Sequence, residues 1–154
     1  MSDTAAIIMA AGKGKRMKSN LPKVLHNLAG KPILNYTLDT VSQLEAKRKI
    51  LIVGYKSDKI KELIGNKIEY VEQKEQLGTA HAVLQTEKLL SGFKGDVLIL
   101  SGDVPFLRVK TLKKLLKYHQ ANNFCCTLLS TVLKNPKGYG RIIRDKKGEI
   151  KEII

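Results

Sequence analysis

Short, uninterrupted apolar runs alternate along this chain with stretches whose apolar residues recur every three or four positions. Ala5-Ala6-Ile7-Ile8-Met9 is the first run and reads as a buried strand. Pro32–Leu44 follows, with Ile33, Leu34, Leu38, Val41 and Leu44 at helical offsets and Pro32 in the first turn, where its missing N–H has no partner to lose. Ile50-Leu51-Ile52-Val53, within Lys49–Gly54, predicts a second buried strand. Ser57–Ile64 predicts a short helix with Ser57 as candidate cap. Lys67–Val71 predicts a third strand, Gly78–Leu90 a helix, and Asp96–Leu100 a fourth buried strand that runs into Ser101-Gly102-Asp103. A helix over Val109–Ala121 places Leu112, Leu115 and Leu116 on one face, and Phe124–Val132 predicts another strand. The end changes character: Tyr139–Arg144, a Lys146-Lys147-Gly148 turn and Glu149–Ile154 carry a hairpin pattern.

Strand and helix in alternation argue an α/β fold of three layers, with helices on both faces of a mostly parallel sheet and right-handed crossovers. A chain of 154 residues suits one domain, large enough to bury roughly 70% of its unfolded surface. No apolar segment is long enough to span a bilayer, and the N-terminus lacks the basic region, apolar core and cleavage site of a signal peptide. A cytoplasmic location is therefore expected, with no membrane partner. Lys151-Glu152-Ile153-Ile154 reads as an unfinished strand, so residues 1–154 are expected to be part of a longer protein.

In an open α/β sheet, ligands bind beyond the carboxyl ends of the strands. The first such end is Met9-Ala10-Ala11-Gly12-Lys13-Gly14-Lys15-Arg16-Met17, continuing to Leu21-Pro22-Lys23, with Lys13, Lys15, Arg16, Lys18 and Lys23 and no acid. Glycines let backbone N–H groups approach a ligand, and N–H groups with fixed cations favour a polyphosphate. The loop is neither a Walker A motif, since no second glycine with Lys-Ser or Lys-Thr follows at the required offset, nor G-x-G-x-x-G, since Met17 stands where the last glycine belongs. Taken alone it fits a phosphate cradle or a tight turn carrying solvated lysines.

A second strand end leads to Gln73-Lys74-Glu75-Gln76-Leu77-Gly78-Thr79-Ala80-His81, whose amides could read a base edge or serve ordinary loop capping. A third is Ser101-Gly102-Asp103-Val104-Pro105. One carboxylate there can hold Mg²⁺ against substrate phosphates, because Mg²⁺ commonly uses only one or two protein carboxylates. The alternative role for Asp103 is a turn or helix cap.

His81 reads as a capping or core residue rather than a catalytic one, and His26 and His119 form no constellation. No Ser-His-Asp or metal-ligand cluster is apparent, which disfavours hydrolases and zinc enzymes. The adjacent Cys125 and Cys126, in a predicted strand, point to opposite faces and are expected to be buried, inert thiols.

The balance of 28 basic to 14 acidic side chains, net +14, raises the question of nucleic acid. The lysines are scattered over helix faces and turns, aromatics are only 5% of residues, and none is interleaved with cations as a stacking platform. Specific nucleic-acid recognition is not expected; salt-sensitive polyanion affinity is.

Phosphate, base and metal sites at three strand ends are more specific together than any one alone. The loop from Met9 to Met17 with Leu21-Pro22-Lys23-Val24-Leu25 resembles the nucleotide-sugar pyrophosphorylase signature. Gln73 to Ala82, Leu100 to Pro105 and Asn135-Pro136-Lys137-Gly138-Tyr139-Gly140-Arg141-Ile142 narrow it, in family order across essentially the whole chain, to the uridyltransferase domain of bacterial UDP-N-acetylglucosamine pyrophosphorylases. The resemblance implies a Rossmann-like nucleotide-diphospho-sugar transferase fold, Mg²⁺ as cofactor, and UTP and N-acetylglucosamine 1-phosphate as substrates.

It further implies that Arg16 stabilises charge on the β- and γ-phosphates and Lys23 on the α-phosphate. Ala10, Ala11, Gly12, Gly14, Gln73, Gly78, Thr79, Ser101, Gly102 and Asp103 would bind substrate, with Lys23 among them and Asp103 also the metal ligand. Gly140 would touch the amino sugar. Where the family usually has Thr or Ser, this loop has Lys15. The family's pyrophosphorylase domain continues past residue 154 with further sugar and metal ligands, and a trimerising, acetyl-transferring β-helix follows it. The expectation is thus an incomplete nucleotidyltransferase domain, homo-oligomeric if the longer protein carries that β-helix. The alternatives are a nucleotide-binding module without turnover and a nucleotidyltransferase for another sugar phosphate or cofactor.

Overall fold

The first strand, β1 (Thr4–Met9), lies between two parallel neighbours in a computed structural model that describes residues 3–154, the side chain of Lys15 excepted. Parallel strands paired on both edges are buried on both faces, which is why β1 reads as continuous Ala and Ile rather than as an alternation. Ala5, Ala6, Ile7 and Ile8 are all fully buried.

Two single-turn 3₁₀ segments (Lys15–Met17 and Lys23–Leu25) and a short hairpin of β2 (Asn27–Leu28) and β3 (Lys31–Pro32) lead into α1 (Ile33–Ser42). Then come β4 (Arg48–Val53), α2 (Ser57–Ile64), β5 (Glu69–Glu72), α3 (Thr79–Leu84), α4 (Glu87–Leu90), β6 (Asp96–Ser101) and α5 (Val109–Ala121). The sheet order is β5-β4-β1-β6, every pair parallel. The chain divides into two compact units, one ending at Phe124 and one running Cys125–Ile154.

The sheet has a different cover on each face. Ala6, Ile8, Leu51, Val53, Leu98 and Leu100 pack with Leu34 and Val41 of α1, Ile60 of α2 and Leu112 of α5. On the other face Ile7 and Ile52 pack with Ala11 and Ala82, backed by Val83 of α3 and Leu90 of α4. These are the three layers expected from the alternation of elements.

The predicted helix over Gly78–Leu90 is two helices. Thr86 is buried, and both its N–H and its hydroxyl bond Val83 O, at 2.9 and 2.7 Å, so the first helix is closed off there. Ser57 opens α2 but does not cap it: the capping position is Lys56, in left-handed backbone with φ 52°, and no side chain caps that helix.

Three further sequence expectations are corrected. The fourth strand is buried on one face only: Val97 and Ile99, in register with Ala5 and Ile7, are 43% and 46% exposed, because α3 and α4 cover the neighbouring strands and not β6. The strand expected over Phe124–Val132 does not form. The segment joins no sheet, Val132 is almost wholly exposed, and Cys125 and Cys126 are exposed rather than buried. Alternating apolar residues make a strand only where a neighbour takes the backbone hydrogen bonds.

The second unit holds β7 (Ile142–Arg144) and β8 (Ile150–Ile153), an antiparallel pair that realises the hairpin pattern. The Asp145 carboxylate accepts from the N–H groups of Lys147 and Glu149 to close its turn.

The unequal cover of the sheet has a measurable consequence. Leu34→Ala, at a fully buried position, is expected to lower the urea unfolding free energy by about 2–5 kcal/mol. Ile99→Thr should cost on the order of 1 kcal/mol, since only half of that side chain leaves water. Equal losses would show that both faces of β6 are covered.

Candidate functional site

Parallel pairing brings the carboxyl ends of β1, β5 and β6 to one rim, where a cavity of about 370 Å³ opens. Ala10, Ala11, Gly12, Gly14, Arg16 and Lys23 line it from the loop after β1. Gln73, Gly78 and Thr79 line it from the loop after β5, and Ser101 and Asp103 from the end of β6. The three strand ends picked out in the sequence therefore share one cavity. Met9, Val24, Gln76 and Ala82 also line it without having been singled out as site residues. Gln76 sits three positions after Gln73 in the same loop, while the other three are apolar and carry no chemical signal.

Gly102 is not among the lining residues. Its N–H donates to Met9 O at 2.9 Å, and a Cβ there would stand 2.9 Å from that oxygen and 3.1 Å from Leu34 Cδ1. Only glycine lets the chain turn off β6 this close to β1, which aims the next residue, Asp103, at the cavity. Gly140 belongs to the second unit, where a Cβ would touch Ile153 Cγ2 at 3.3 Å.

Several contacts hold the loop after β1. Ala10 N–H donates to Ile52 O at 2.8 Å, and Ala11 O accepts from Tyr55 N–H at 3.3 Å. Lys56 Nζ donates to Asn20 O at 2.6 Å, and Lys13 and Lys56 both stand over the Tyr55 ring, 5.6 and 5.4 Å from its centroid. Gly14 has φ +63°, and a Cβ there would sit 2.7 Å from Lys23 Cβ. The second glycine of the loop thus makes room for Lys23 as well as lining the cavity. Arg16 is exposed and forms no ion pair among the described residues. The side chain of Lys15, the departure from the family pattern, lies outside the described residues.

Lys23 Nζ meets Asp103 Oδ2 at 2.6 Å, with 38% and 31% of the two side chains exposed. Burial pushes the Asp103 carboxyl up, but the hydrogen bond and charge of Lys23, the Ser101 hydroxyl and Asp103's own N–H outweigh it. The net result holds the group below its ordinary value. Among the described residues no three His, Cys, Asp or Glu side chains gather as a metal site. Asp103 alone fits a divalent ion of the Mg²⁺ type, which takes one or two carboxylates and completes its shell with water and substrate phosphate.

Gln73, 4% exposed, is the buried polar side chain of the opposite wall. Its Nε2 lies 3.1 Å from Gly78 O and 3.1 Å from His81 Nδ1. His81 is thus neither a cap nor a purely packed residue; it bonds a cavity-lining amide. Two cations, one carboxylate and two carboxamides around a cavity of this size can take a triphosphate, a metal ion and a base.

A model of the nucleotidyl transferase family matches residues 5–154. The chain belongs to the nucleotidyl transferase family. Among curated relatives of this nucleotidyl transferase, the bifunctional protein GlmU of Enterococcus faecalis is 48% identical over the whole chain, and that of Acaryochloris marina is 50% identical over 97% of it. The chain spans about a third of the length of those relatives, 34% and 33%.

Solved structures show the same fold. HddC from Yersinia pseudotuberculosis aligns with all of this chain and 69% of its own at a TM-score of 0.69 and 21% identity. A UDP-glucose pyrophosphorylase complexed with UDP-glucose aligns with 80% of this chain and 55% of its own at 0.66 and 18% identity.

The Lys23–Asp103 pair makes stability of the nucleotidyl transferase pH-dependent with a defined sign. A carboxyl held below its unfolded value of 3.8 contributes stability that is complete above that pH and is lost as pH falls through the lower folded value. Urea titrations across the acid range should show the stability gap between wild type and Asp103→Asn closing below pH 3.8. A gap unchanged by acid would mean that the pair adds nothing.

Proposed function

We propose that this chain is the uridylyl-transferring part of an N-acetylglucosamine 1-phosphate uridyltransferase: UTP and the sugar phosphate are converted to UDP-N-acetylglucosamine and pyrophosphate. The observation that carries the reading is the gathering of Arg16, Lys23, Asp103 and Gln73 around one cavity. The identity of 48–50% to GlmU proteins supports the choice of nucleotide and sugar, and a cytoplasmic location suits both.

An oxygen of the sugar phosphate attacks the α-phosphorus of UTP, and the bond from that phosphorus to the bridging oxygen of the β-phosphate breaks, so that pyrophosphate leaves. Such a transfer needs alignment and charge neutralisation more than a strong base. Lys23 reaches the α-phosphate from the loop after β1, and Arg16 neutralises the departing β- and γ-phosphates. The backbone of Ala10, Ala11, Gly12 and Gly14 borders the nucleotide, and Gln73 with Gly78 and Thr79 takes the uracil. Mg²⁺, held by Asp103 with Ser101 beside it, supplies charge neutralisation to the phosphates when bound. Lys23 and Asp103, paired in this structure, would hold phosphate and metal respectively. Gly140 is assigned to the amino sugar.

A second reading, a nucleotide-binding module without turnover, is favoured by Asp103 being the one carboxylate among the described residues that line the cavity.

UTP with Mg²⁺ at a hundred times its dissociation constant is expected to stabilise the fold by about 2.7 kcal/mol, which raises Tm by roughly 5–10 °C for a chain of this size. Arg16→Ala and Lys23→Ala should abolish the shift. No response to UTP defeats both readings. Pyrophosphate release from UTP and N-acetylglucosamine 1-phosphate then supports transfer, whereas binding without release supports the module.

A further inference from the structure

We propose that Lys56 is a positioning residue for the triphosphate: with Tyr55 it brackets the exposed loop after β1 and holds Arg16 at the cavity. The proposal rests on the reading of that cavity as a uridine nucleotide site.

The loop has little else to hold it. Gly12, Lys13 and residues 16–20 are exposed and Gly14 is half-buried, so this stretch adds nothing to the core. Its other hydrogen bonds are local: Met17 N–H donates to Gly14 O at 2.8 Å, and Ser19 Oγ accepts from Leu21 N–H at 3.1 Å. Among the described residues, one hydrogen bond ties residues 12–20 to a distant part of the chain, from Lys56 Nζ to Asn20 O at 2.6 Å. Lys23 has its own anchors, because Pro22, Val24 and Leu25 on either side of it are buried.

The turn after β4 supplies the bracket. Tyr55 N–H donates to Ala11 O at 3.3 Å where the loop begins, and Lys56 closes on Asn20 near its end. Lys13 and Lys56 stand 5.6 and 5.4 Å from the centroid of the Tyr55 ring, within the roughly 6 Å reach of a cation–π contact. Tyr55 and Lys56 thus hold the loop at Ala11, Lys13 and Asn20, and Arg16 lies between the last two.

The backbone of Lys56 agrees with such a role. It has φ 52° and ψ 46°, in the left-handed region, at the residue that precedes α2. Glycine or asparagine would adopt that conformation at less cost and would suit the start of a helix. Lysine makes no side-chain cap there. What it supplies is an ammonium on a long side chain, which reaches back 36 positions to Asn20.

The consequence falls on one end of the nucleotide. Arg16 is the cation assigned to the β- and γ-phosphates, whereas Lys23 is assigned to the α-phosphate. Releasing the loop should therefore weaken a nucleoside triphosphate and spare a monophosphate. A cation held in place binds more tightly than one that must be ordered on arrival, since that ordering entropy is then lost on binding.

The test is the pair of dissociation constants for UTP and UMP, each with Mg²⁺, for wild type, Lys56→Gly, Lys56→Met and Lys56→Arg. Lys56→Gly and Lys56→Met remove the ammonium and should raise the UTP constant about tenfold, which corresponds to roughly 1.4 kcal/mol. Their UMP constants should not change. Lys56→Arg keeps a donor for Asn20 O and should bind both nucleotides like wild type. Lys56→Gly also relieves the left-handed backbone, so its Tm should be no lower than that of wild type, and its weaker UTP binding is then not a loss of fold. An unchanged ratio of the two constants, whether both nucleotides weaken together or neither does, marks a merely structural contact. That outcome overturns the proposal while UTP binding itself still stands. Wild type that binds neither nucleotide overturns the uridine reading instead.

Discussion

The pairing of β1 with β4 on one edge and β6 on the other, both parallel, is the constraint on which the site depends. Register sets Met9 opposite Ile52 and Ser101, and Val53 opposite Glu72. The strands therefore end at one level, and the residues that follow them, Gln73, Gly54, Ala10 and Gly102 in sheet order, leave the sheet at one rim. A shift of two residues in any one pairing would move its loop by nearly 7 Å. The fully buried Ala and Ile side chains of β1 hold that register from both faces, so the core and the cavity are two consequences of the same ladder.

Much of this was legible in the chain. The apolar runs 5–9 and 50–53 are strands because continuous burial needs no alternation, 97–100 joins the same sheet with one face buried, and the glycine-rich and amide-rich segments mark the points where strands end. What was not legible depends on neighbours. Val97 and Ile99 look as buried as Ile50 or Ile52 in sequence, but the cover supplied by α3 and α4 stops short of the edge strand. Phe124–Val132 has the composition of a strand and joins no sheet, and its two cysteines meet solvent. Propensity reports how a residue fits a sheet, and pairing decides whether there is one.

Within the site, residue identities could be read but the bonds between them could not. Gly14 was recognisable as a loop glycine, yet its positive φ and its closeness to Lys23 Cβ show that it serves the lysine. His81 looked like a cap or a core residue because nothing in the spacing of Gln73 and His81, across a loop that reverses direction, announces a bond at 3.1 Å. Gly102 looked like a ligand-touching residue and is packed against Met9 and Leu34. Function in this rim is divided between side chains that face the cavity and glycines that allow them to.

The Lys23–Asp103 pair ties the two ends of the proposed reaction together. Each charge is assigned a different partner in transfer, phosphate for Lys23 and a divalent cation for Asp103, and at 2.6 Å each already has one. Nucleotide alone would draw Lys23 away and leave a carboxylate beside a polyanion. Metal alone would leave an ammonium beside a divalent cation. Both are like-charge contacts at short range, unfavourable in a half-buried setting where screening is weak. In the proposed reaction, Asp103 would take the cation and Lys23 the phosphate, so each would exchange its present partner for one of matching charge. The pair holds the two side chains against each other on the cavity wall that both line. Arg16, exposed and outside any ion pair among the described residues, lines the same cavity without an acid partner there, and in the proposed reaction it is the cation that would meet phosphate without first giving up an ion pair.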